Sequence, residues 1–316
     1  MMKFLFIADP IESFKPQKDS TLAMMEAAQR AGHEIFYAWS ESLSSFEAHV
    51  TALVVRISVD KSSVNWFTKY EESRKNLGDF DAVLMRQDPP FSSEYLANTL
   101  LLSQAERRGA KVFNSPSALR DHSEKVAILE FPEFIAPTTI TRELSIIREF
   151  HQLHQDIIIK PLDGMGGMGV FRVGTDGLNL GSIVETLGNN GTRSLMVQKY
   201  IPEIKQGDNR ILLINGEPIP YLLARIPQAG DIRGNLAAGG KGVARPLSEE
   251  ELVVAKKIGS IVAKRGLFLV GIDMIGSYLT EINVTSPTCF VEIFDQTGYD
   301  VAAAFIGTLE KRILES

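Results

Sequence analysis

Three oxygen-bearing side chains in residues 271–283 have a spacing that could bind a metal ion. Glu281 and Asn283 are two residues apart, so on a β-strand they point to the same face. A turn at Gly276-Ser277 would bring Asp273 nearly opposite Glu281. Mg²⁺ prefers oxygen ligands with open positions for phosphate, and crowded carboxylates repel unless a cation lies between them. The spacing therefore favours a metal–nucleotide site, with the solvated face of an amphipathic hairpin as the alternative.

A run of glycines, GMGGMG at residues 164–169, follows the apolar sequence IIIK. A dinucleotide-binding fingerprint needs an amphipathic helix after the glycines, but the strand-like VFRV follows instead. A Walker-type loop is excluded because no Gly-Lys-Ser/Thr sequence follows. The remaining functional interpretation is a glycine hairpin that folds over a polyphosphate, with Lys160 supplying positive charge at its base. The alternative is a structural turn beside a solvated lysine.

A long glycine-rich segment, IPQAGDIRGNLAAGGKG, lies between Ile226 and Gly242. Loops of this length are usually functional or disordered, and this composition suits a lid that closes over a reactive intermediate and excludes water. Arginine is suited to bidentate carboxylate binding, although a single arginine is also typical of a surface ion pair. The arginines near this segment or at a strand end are Arg86, Arg210, Arg225 and Arg233.

The elements that must position these groups begin with a strand–helix alternation over the first 115 residues. Strand-like runs such as KFLFIAD and DFDAVLMR alternate with helix-like runs such as STLAMMEAAQRAG, which predicts an α/β layer with parallel strands. Residues 48–78 are polar and charged with little periodicity, which indicates an irregular segment or a hairpin. A new domain is expected to begin near residues 117–123, and from residue 196 onward paired short strands enclose one long helix.

Composition excludes several classes of protein. The 316 residues carry a net charge of −6 with 23% charged residues, so the basic excess of a nucleic-acid-binding protein is missing. Cys289 is the single cysteine, which favours a reducing compartment and is more typical of a buried small apolar residue than of a nucleophile. The apolar start is too short for a signal peptide, and GLFLVGIDMIG is too short and polar to span a membrane. We therefore expect a cytoplasmic protein with neither nucleic-acid nor membrane partners.

Five strings of the sequence together resemble bacterial glutathione synthetase, a family of the ATP-grasp superfamily. They are MRQDPPF, NSPSALRDHSEK, KPLDGMGG, ARIPQAGDIRGNLAAGG and LTEINVTSPT, and the resemblance covers essentially the whole chain. It implies a mixed α/β and α+β fold: an amino-terminal α/β parallel-sheet domain at residues 1–122, an ATP-grasp subdomain with the glycine-rich loop at 123–200, and a carboxy-terminal subdomain with the Mg²⁺ site and the lid at 201–316.

The resemblance also implies a reaction, which joins γ-glutamylcysteine to glycine through an acyl phosphate and converts ATP to ADP and phosphate. Such an enzyme would use Mg²⁺, with Mn²⁺ as an alternative, and would be a homotetramer. The residues that would bind ATP are Lys125, Lys160, Gly164, Gly166, Gly167, Gln198, Lys199, Tyr200, Ile201 and Asp208. The residues that would hold the metal ion are Asp273, Glu281 and Asn283. Arg210 and the backbone of Gly240 would stabilise developing negative charge, and the candidates for substrate carboxylates are Arg86, Arg225 and Arg233.

Three other functions are compatible with parts of this pattern. The nearest is another ATP-grasp carboxylate–amine ligase, such as a D-alanine ligase or a glutamate-adding enzyme, against which only the loop and arginine strings argue. A nucleotide-binding regulatory protein that has lost catalysis is the second, and the full set of charged residues argues against it. An NAD-dependent oxidoreductase is the third, and it requires nicotinamide binding.

Overall fold

A computed structural model describes residues 1–315, which contain three β-sheets. The amino-terminal part of the chain forms the first sheet. Its strands are β1 (Lys3–Ala8), β2 (Glu34–Trp39), β3 (Ser44–Phe46), β4 (His49–Val59), β5 (Phe67–Asn76), β6 (Ala82–Met85) and β7 (Val112–Phe113). The spatial order is β3-β4-β2-β1-β6-β7, with β5 beside β4. Strands β2, β1, β6 and β7 pair in parallel, which confirms the parallel layer predicted from the strand–helix alternation.

Three helices belong to this part of the chain: α1 (Ser20–Arg30), α2 (Ser93–Glu106) and α3 (Pro116–Asp121). Helices α1 and α2 confirm the helical spacing of the sequence, whereas the short α3 was not predicted. Helix α1 begins after Asp19, whose side chain accepts a hydrogen bond from the N–H of Leu22 and so satisfies one of the free donors of the first turn. Residues 48–78 form the antiparallel β4–β5 hairpin, which is the second of the two forms expected of them. Strand β5 is largely exposed at the edge of the sheet, and this explains its polar composition.

The second sheet has four antiparallel strands and a core of its own. The strands are β8 (Thr138–Thr141), β9 (Ile157–Pro161), β10 (Phe171–Val173) and β11 (Leu195–Lys199), and the helices that cover them are α4 (Leu144–His154) and α5 (Leu180–Leu187). Buried apolar residues of these elements form a cluster separate from the rest of the interior. The sequence KVAILEFP at residues 125–132 favours a helix, but the structure forms only a short 3₁₀ helix there, Val126–Glu130. Phe131 precedes Pro132, and a residue before proline is disfavoured in the helical region.

The third sheet is antiparallel throughout and contains both predicted hairpins. Its strands, in the order β14-β13-β12-β15-β16, are β12 (Asp208–Ile214), β13 (Glu217–Ile226), β14 (Lys241–Pro246), β15 (Leu269–Ile275) and β16 (Tyr278–Asn283). Strand β14 was not predicted because its sequence KGVARP lacks a run of apolar residues. The helices are α6 (Glu249–Lys264), α7 (Phe290–Thr297) and α8 (Val301–Glu315). Helix α8 returns to pack near α1, so the end of the chain completes the first layer.

The predicted carboxy-terminal subdomain ends at residue 316, and Ser316 lies outside the described residues. Cys289 is buried, as its interpretation as a small apolar residue predicts. Within residues 1–315, every helix falls short of the length and apolar content needed to cross a membrane.

Helix α2 supplies a test of the packing at neutral pH. Burial raises the pKa of Glu106 to about 7, although the charge of Arg120 opposes the rise. When the pKa of a carboxyl group is higher in the folded state than in the unfolded state, the free energy of unfolding falls as the pH rises through the range between the two pKa values. We therefore expect Glu106→Gln to raise the free energy of unfolding by about 1 to 2 kcal/mol at pH 8 and to leave it nearly unchanged at pH 4.5. Urea unfolding at both pH values measures this difference, and an equal effect at both would contradict the prediction.

Candidate functional site

The carboxylate hairpin, β15 and β16, brings the predicted metal-binding side chains together. The strand register places Asp273 opposite Glu281 and Gly271 opposite Asn283, as the turn at Gly276-Ser277 predicted. The side-chain amide of Asn283 donates to Oδ2 of Asp273 at 3.0 Å. Asp273 is buried, whereas Glu281 keeps about a quarter of its side chain exposed. The hairpin therefore presents one enclosed and one accessible carboxylate.

Two arginines enclose the carboxylate of Asp273. Arg210 lies directly opposite Asp273 on β12 and binds it in a bidentate manner, with Nη2 to Oδ2 at 2.9 Å. Nη2 of Arg225 lies 2.8 Å from the same oxygen and 2.5 Å from Oδ2 of Asp208. Burial alone raises the pKa of Asp273, but the two guanidinium groups outweigh it and hold this pKa below its usual range. Two carboxylates and two guanidinium groups thus neutralise one another away from water.

We expect Asp273→Asn to destabilise the fold as well as the site. Removing this carboxylate leaves two buried guanidinium groups with only Asp208 to compensate them, and an uncompensated buried charge costs about 3 to 5 kcal/mol. The matched control is Glu12→Gln, which removes an exposed ion pair with Lys69 and should change the free energy of unfolding by less than about 1 kcal/mol. Urea denaturation compares the two, and equal stability of both variants would contradict the argument.

Two lysines face the accessible carboxylate. Nζ of Lys125 lies 3.5 Å and Nζ of Lys160 lies 3.7 Å from Oε1 of Glu281, and both lysine side chains are less than a tenth exposed. Lys125 also donates to the carbonyl oxygen of Gly164, at 2.6 Å, in the glycine run. Burial lowers the pKa of Lys160, and the neighbouring charge of Glu281 opposes this. Two cations against one carboxylate leave a net positive charge, which suits a polyphosphate.

A cleft of about 840 Å³, called the main cleft below, opens between the second and third sheets at these lysines. All ten residues predicted to bind ATP line it: Lys125, Lys160, Gly164, Gly166, Gly167, Gln198, Lys199, Tyr200, Ile201 and Asp208. Glu281 and Arg233 line it as well, whereas Arg86, Arg210, Arg225, Gly240, Asp273 and Asn283 do not. Apolar walls that sequence reasoning missed are supplied by Ile158, Met168, Val170, Ile204 and Ile275. Alternation along β9 is the one signal that points Ile158 to the same face as Lys160.

Asp208, which lines the main cleft, has one carboxylate oxygen without a hydrogen-bond partner among residues 1–315. Its Oδ2 binds Arg225, while its Oδ1 is buried without a hydrogen-bond partner among residues 1–315. Burial raises the pKa of Asp208, and the guanidinium of Arg225 limits the rise. A buried acceptor without a donor is costly, so this oxygen suits a ligand hydroxyl group.

The lid loop, residues 227–240, lies on the glycine run. A Cβ atom on Gly167, which has a φ of +83°, would lie 2.8 Å from Oδ1 of Asn235 in this loop. Within the loop, the N–H of Gly240 donates to the carbonyl oxygen of Asn235 at 3.1 Å, and Arg233 forms an ion pair with Asp231. The N–H of Gly240 is therefore available to an oxyanion only after the loop rearranges.

Glu124 is a positioning residue that the sequence did not reveal. Its Oε1 accepts hydrogen bonds from the N–H groups of Val284 and Thr285 and from the hydroxyl of Thr285, and its carbonyl oxygen accepts from the N–H of Ile282. The segment that carries Lys125 is thereby fastened to the end of β16. A single polar residue before a lysine carries no periodic signal, so only the tertiary contacts identify this role.

The donor set at the hairpin fits a magnesium ion in part. Among the described residues no group of three or more His, Cys, Asp and Glu side chains is clustered for metal binding, so the candidate ligands are two carboxylates and one amide oxygen. Both oxygens of Asp273 are engaged by arginines, whereas Oδ1 of Asn283 and the carboxylate of Glu281 make no direct hydrogen bond among residues 1–315. Oxygen donors of this kind suit Mg²⁺.

Comparison with known proteins assigns residues 2–120 and residues 124–298 to two domains of one protein family. Residues 2–120 match the family described as prokaryotic glutathione synthetase, N-terminal domain, and residues 124–298 match prokaryotic glutathione synthetase, ATP-grasp domain. The chain is 53% identical to the glutathione synthetase of Ralstonia nicotianae over 98% of this chain and 96% of the relative. It is 49% identical to the glutathione synthetase of Nitrosomonas europaea over 99% of this chain and 98% of that relative.

Solved structures share the fold at low sequence identity. D-cycloserine synthetase superimposes with a TM-score of 0.69 at 15% identity, over 98% of this chain and 99% of that one. A RiPP-associated ATP-grasp ligase of Chryseobacterium gregarium, solved with ADP and a leader and core peptide, gives a TM-score of 0.68 at 17% identity, over 99% of this chain and 97% of that one. These likenesses support the fold of this chain.

Proposed function

The chain belongs to the prokaryotic glutathione synthetase family, and from this premise we propose which residues carry out its reaction. The protein is an ATP-grasp ligase that makes glutathione with ATP as co-substrate. The acyl substrate is γ-glutamylcysteine and the amine is glycine. The observation that carries the assignment of the nucleotide site is the main cleft, where Lys125 and Lys160 face Glu281 beneath the glycine run.

The nucleotide lies in the main cleft with its polyphosphate at the lysine pair. The base stacks between the apolar walls beside residues 198–201, and the ribose hydroxyl groups bind the free oxygen of Asp208. The glycine run covers the phosphates because a backbone without side chains can approach them closely. Glu281, Asn283 and Asp273 would hold Mg²⁺, or Mn²⁺ in its place, and the ion would supply charge neutralisation to the phosphates.

In the first step, a carboxylate oxygen of the cysteine residue of γ-glutamylcysteine attacks the γ-phosphorus of ATP. The bond from that phosphorus to the β,γ-bridging oxygen breaks, ADP leaves, and an acyl phosphate forms. Lys125 and Lys160 lie where charge is redistributed during this transfer, so their role is electrostatic stabilisation. A free carboxylate is a poor acyl donor, and phosphorylation gives it a leaving group.

In the second step, the amine of glycine attacks the acyl carbon, and phosphate leaves as the amide bond forms and a proton is released. Arg210 stabilises the tetrahedral oxyanion, a role worth about 3 to 4 kcal/mol per donor in comparable sites. Gly240 assists through its N–H once the lid loop has rearranged. Arg86, Arg225 and Arg233 orient the substrate carboxylates. The lid loop protects the acyl phosphate from water.

The organisation of the protein forms part of the same proposal. Residues 1–122 are the amino-terminal domain, residues 123–200 the subdomain with the glycine run, and residues 201–316 the subdomain with the metal site and the lid loop. The separate core of the second sheet supports a subdomain of its own at residues 123–200. The protein works in the cytoplasm as a homotetramer, and light scattering of the purified protein tests the assembly.

Phosphate release from Mg-ATP tests the proposed substrates. Purified protein is given γ-glutamylcysteine and glycine together, each alone, and D-alanine in place of glycine. We expect phosphate release that requires both substrates, with a tripeptide of glutathione mass in the products. Release only with a different acid or amine would overturn the substrate assignment while leaving the nucleotide site in place.

A further inference from the structure

The open end of the carboxylate hairpin is held by a side chain from the first sheet. The ladder between β15 and β16 ends at the pair Gly271–Asn283, although β15 begins two residues earlier, at Leu269. Asn114 directly follows β7, the edge strand of the first sheet, and only 6% of the residue is exposed. Its side-chain amide binds both strands where their pairing stops. A residue distant in sequence therefore contacts the base of the candidate metal site.

The amide of Asn114 uses both its oxygen and its nitrogen at this point. Oδ1 accepts a hydrogen bond from the N–H of Leu269 at 2.7 Å, and Nδ2 donates to the carbonyl oxygens of Leu269 and Val284, each at 2.8 Å. The amide thus gives Leu269 the two hydrogen bonds that a further residue pair of the antiparallel ladder would supply. Because Leu269 and Val284 are buried as well, these backbone groups depend on Asn114 for their hydrogen bonds.

These hydrogen bonds of Asn114, called the amide clamp below, lie next to the side chain of Asn283. The carbonyl oxygen of Gly271, two residues after the clamped Leu269, accepts a hydrogen bond from Nδ2 of Asn283 at 3.2 Å. The same Nδ2 donates to Oδ2 of Asp273 at 3.0 Å. Both contacts reach from β16 to β15 and fix the amide of Asn283, whose Oδ1 is a candidate metal ligand. The separation of the two strands at their base therefore sets the position of that oxygen.

We propose that Asn114 is a positioning residue for the metal site, because the amide clamp fixes β15 against β16 and so holds Oδ1 of Asn283 in place for the ion. This inference rests on the proposed function, which assigns the metal ion to this hairpin. Glu124 holds the same strand end through the N–H of Val284. The two side chains secure different parts of the site. Glu124 fastens Lys125 to the hairpin, whereas Asn114 joins the two strands that carry the candidate metal ligands to each other.

Asn114→Ala tests the proposal through metal binding instead of turnover. The quantity measured is the factor by which Mn²⁺ strengthens the binding of ADP, from calorimetric titrations with and without the ion. Removal of a residue that orients metal ligands weakens metal binding by about 10- to 100-fold in comparable sites, so we expect the variant to reduce this factor about tenfold. Binding of ADP without metal should stay within about twofold of the wild type, because the lysine pair and the walls of the main cleft are unchanged.

Gln29→Ala is the matched control, because Gln29 on α1 forms the same kind of clamp away from the site. Its side-chain amide accepts from the N–H of Val59 and donates to the carbonyl oxygen of Val59, both at 3.0 Å, at the end of β4. Loss of this clamp should leave the Mn²⁺ factor unchanged. Asn114→Ser is the second variant at the site and serves where the alanine variant is too unstable to purify. It keeps a hydroxyl group and leaves space for a water molecule, and we expect it to reduce the factor as well.

Two results would overturn the inference: a Mn²⁺ factor that stays at the wild-type value in both Asn114 variants, or an equal loss of ADP binding with and without Mn²⁺. The second result would indicate a general disturbance of the main cleft. The wild-type protein separates both from a failure of the proposed function. If Mn²⁺ did not strengthen ADP binding to the wild type, the assignment of the metal ion to the hairpin would fall together with the inference. If it did so equally in the wild type and the variants, only the role of Asn114 would fall.

Discussion

Glu281→Gln is expected to abolish turnover, with a fall in kcat of at least about 10³-fold, the upper range for loss of one electrostatic contact in an active site. The substitution removes a candidate metal ligand and the only carboxylate that lies within 4 Å of both Lys125 and Lys160 in residues 1–315. The shape of the side chain is kept, so the loss is one of charge. Steady-state phosphate release with both substrates measures it.

The same variant distinguishes loss of the metal ion from loss of the nucleotide. With the carboxylate removed, the lysine pair still attracts a polyphosphate, so we expect Glu281→Gln to bind metal-free ATP at least as tightly as the wild type. Addition of Mg²⁺ should strengthen binding to the wild-type protein and have little effect on the variant. Glu185→Gln, an exposed substitution on α5, is the matched control. Turnover within tenfold of the wild type would contradict the role of Glu281.

The strand pairing of the carboxylate hairpin and the closeness of Lys160 to the glycine run could be predicted from the sequence because their signals are local. Period-two spacing and a Gly-Ser turn were sufficient to pair Asp273 with Glu281. Lys160 and the glycine run are adjacent in sequence, so their approach needed no long-range information. The strand–helix alternation likewise predicted the parallel layer. Apolar residues recur with helical spacing in each helix and form a short apolar run in each buried strand, so both kinds of element can be recognised locally.

The partners of the buried charges could not be predicted in this way. Asp208 and Arg225 meet because β12 pairs with β13, and Asp273 meets both arginines because β12 also pairs with β15. Such neighbours are set by the order of strands in the sheet, which depends on tertiary packing rather than on periodicity. The contacts of Glu124 with residues 282–285 span about half the chain, and no local pattern marks them.

Gly240→Ala is expected to uncouple ATP cleavage from ligation. A Cβ atom at this position would lie 2.1 Å from the carbonyl oxygen of Gly234, so the lid loop cannot keep its present packing. An opened loop admits water to the acyl phosphate, and hydrolysis then competes with attack by glycine. We expect the phosphate released per glutathione formed to rise clearly above one, while the rate of ligation falls by about 10- to 100-fold.

Gly167→Ala tests the same contact from the opposite side. Its Cβ atom would meet Oδ1 of Asn235 at 2.8 Å, and alanine is strained at a φ of +83°. If water exclusion is the function of the contact, both substitutions should raise the ratio of phosphate to glutathione, although Gly167 lies in a loop of the second sheet and Gly240 in a loop of the third. Gly181→Ala on α5 has open space around it and should leave the ratio at one. If ATP cleavage and ligation fell by the same factor and the ratio stayed at one, the lid loop would instead serve to position the substrates. Positioning affects both steps, whereas water exclusion affects only the fate of the acyl phosphate.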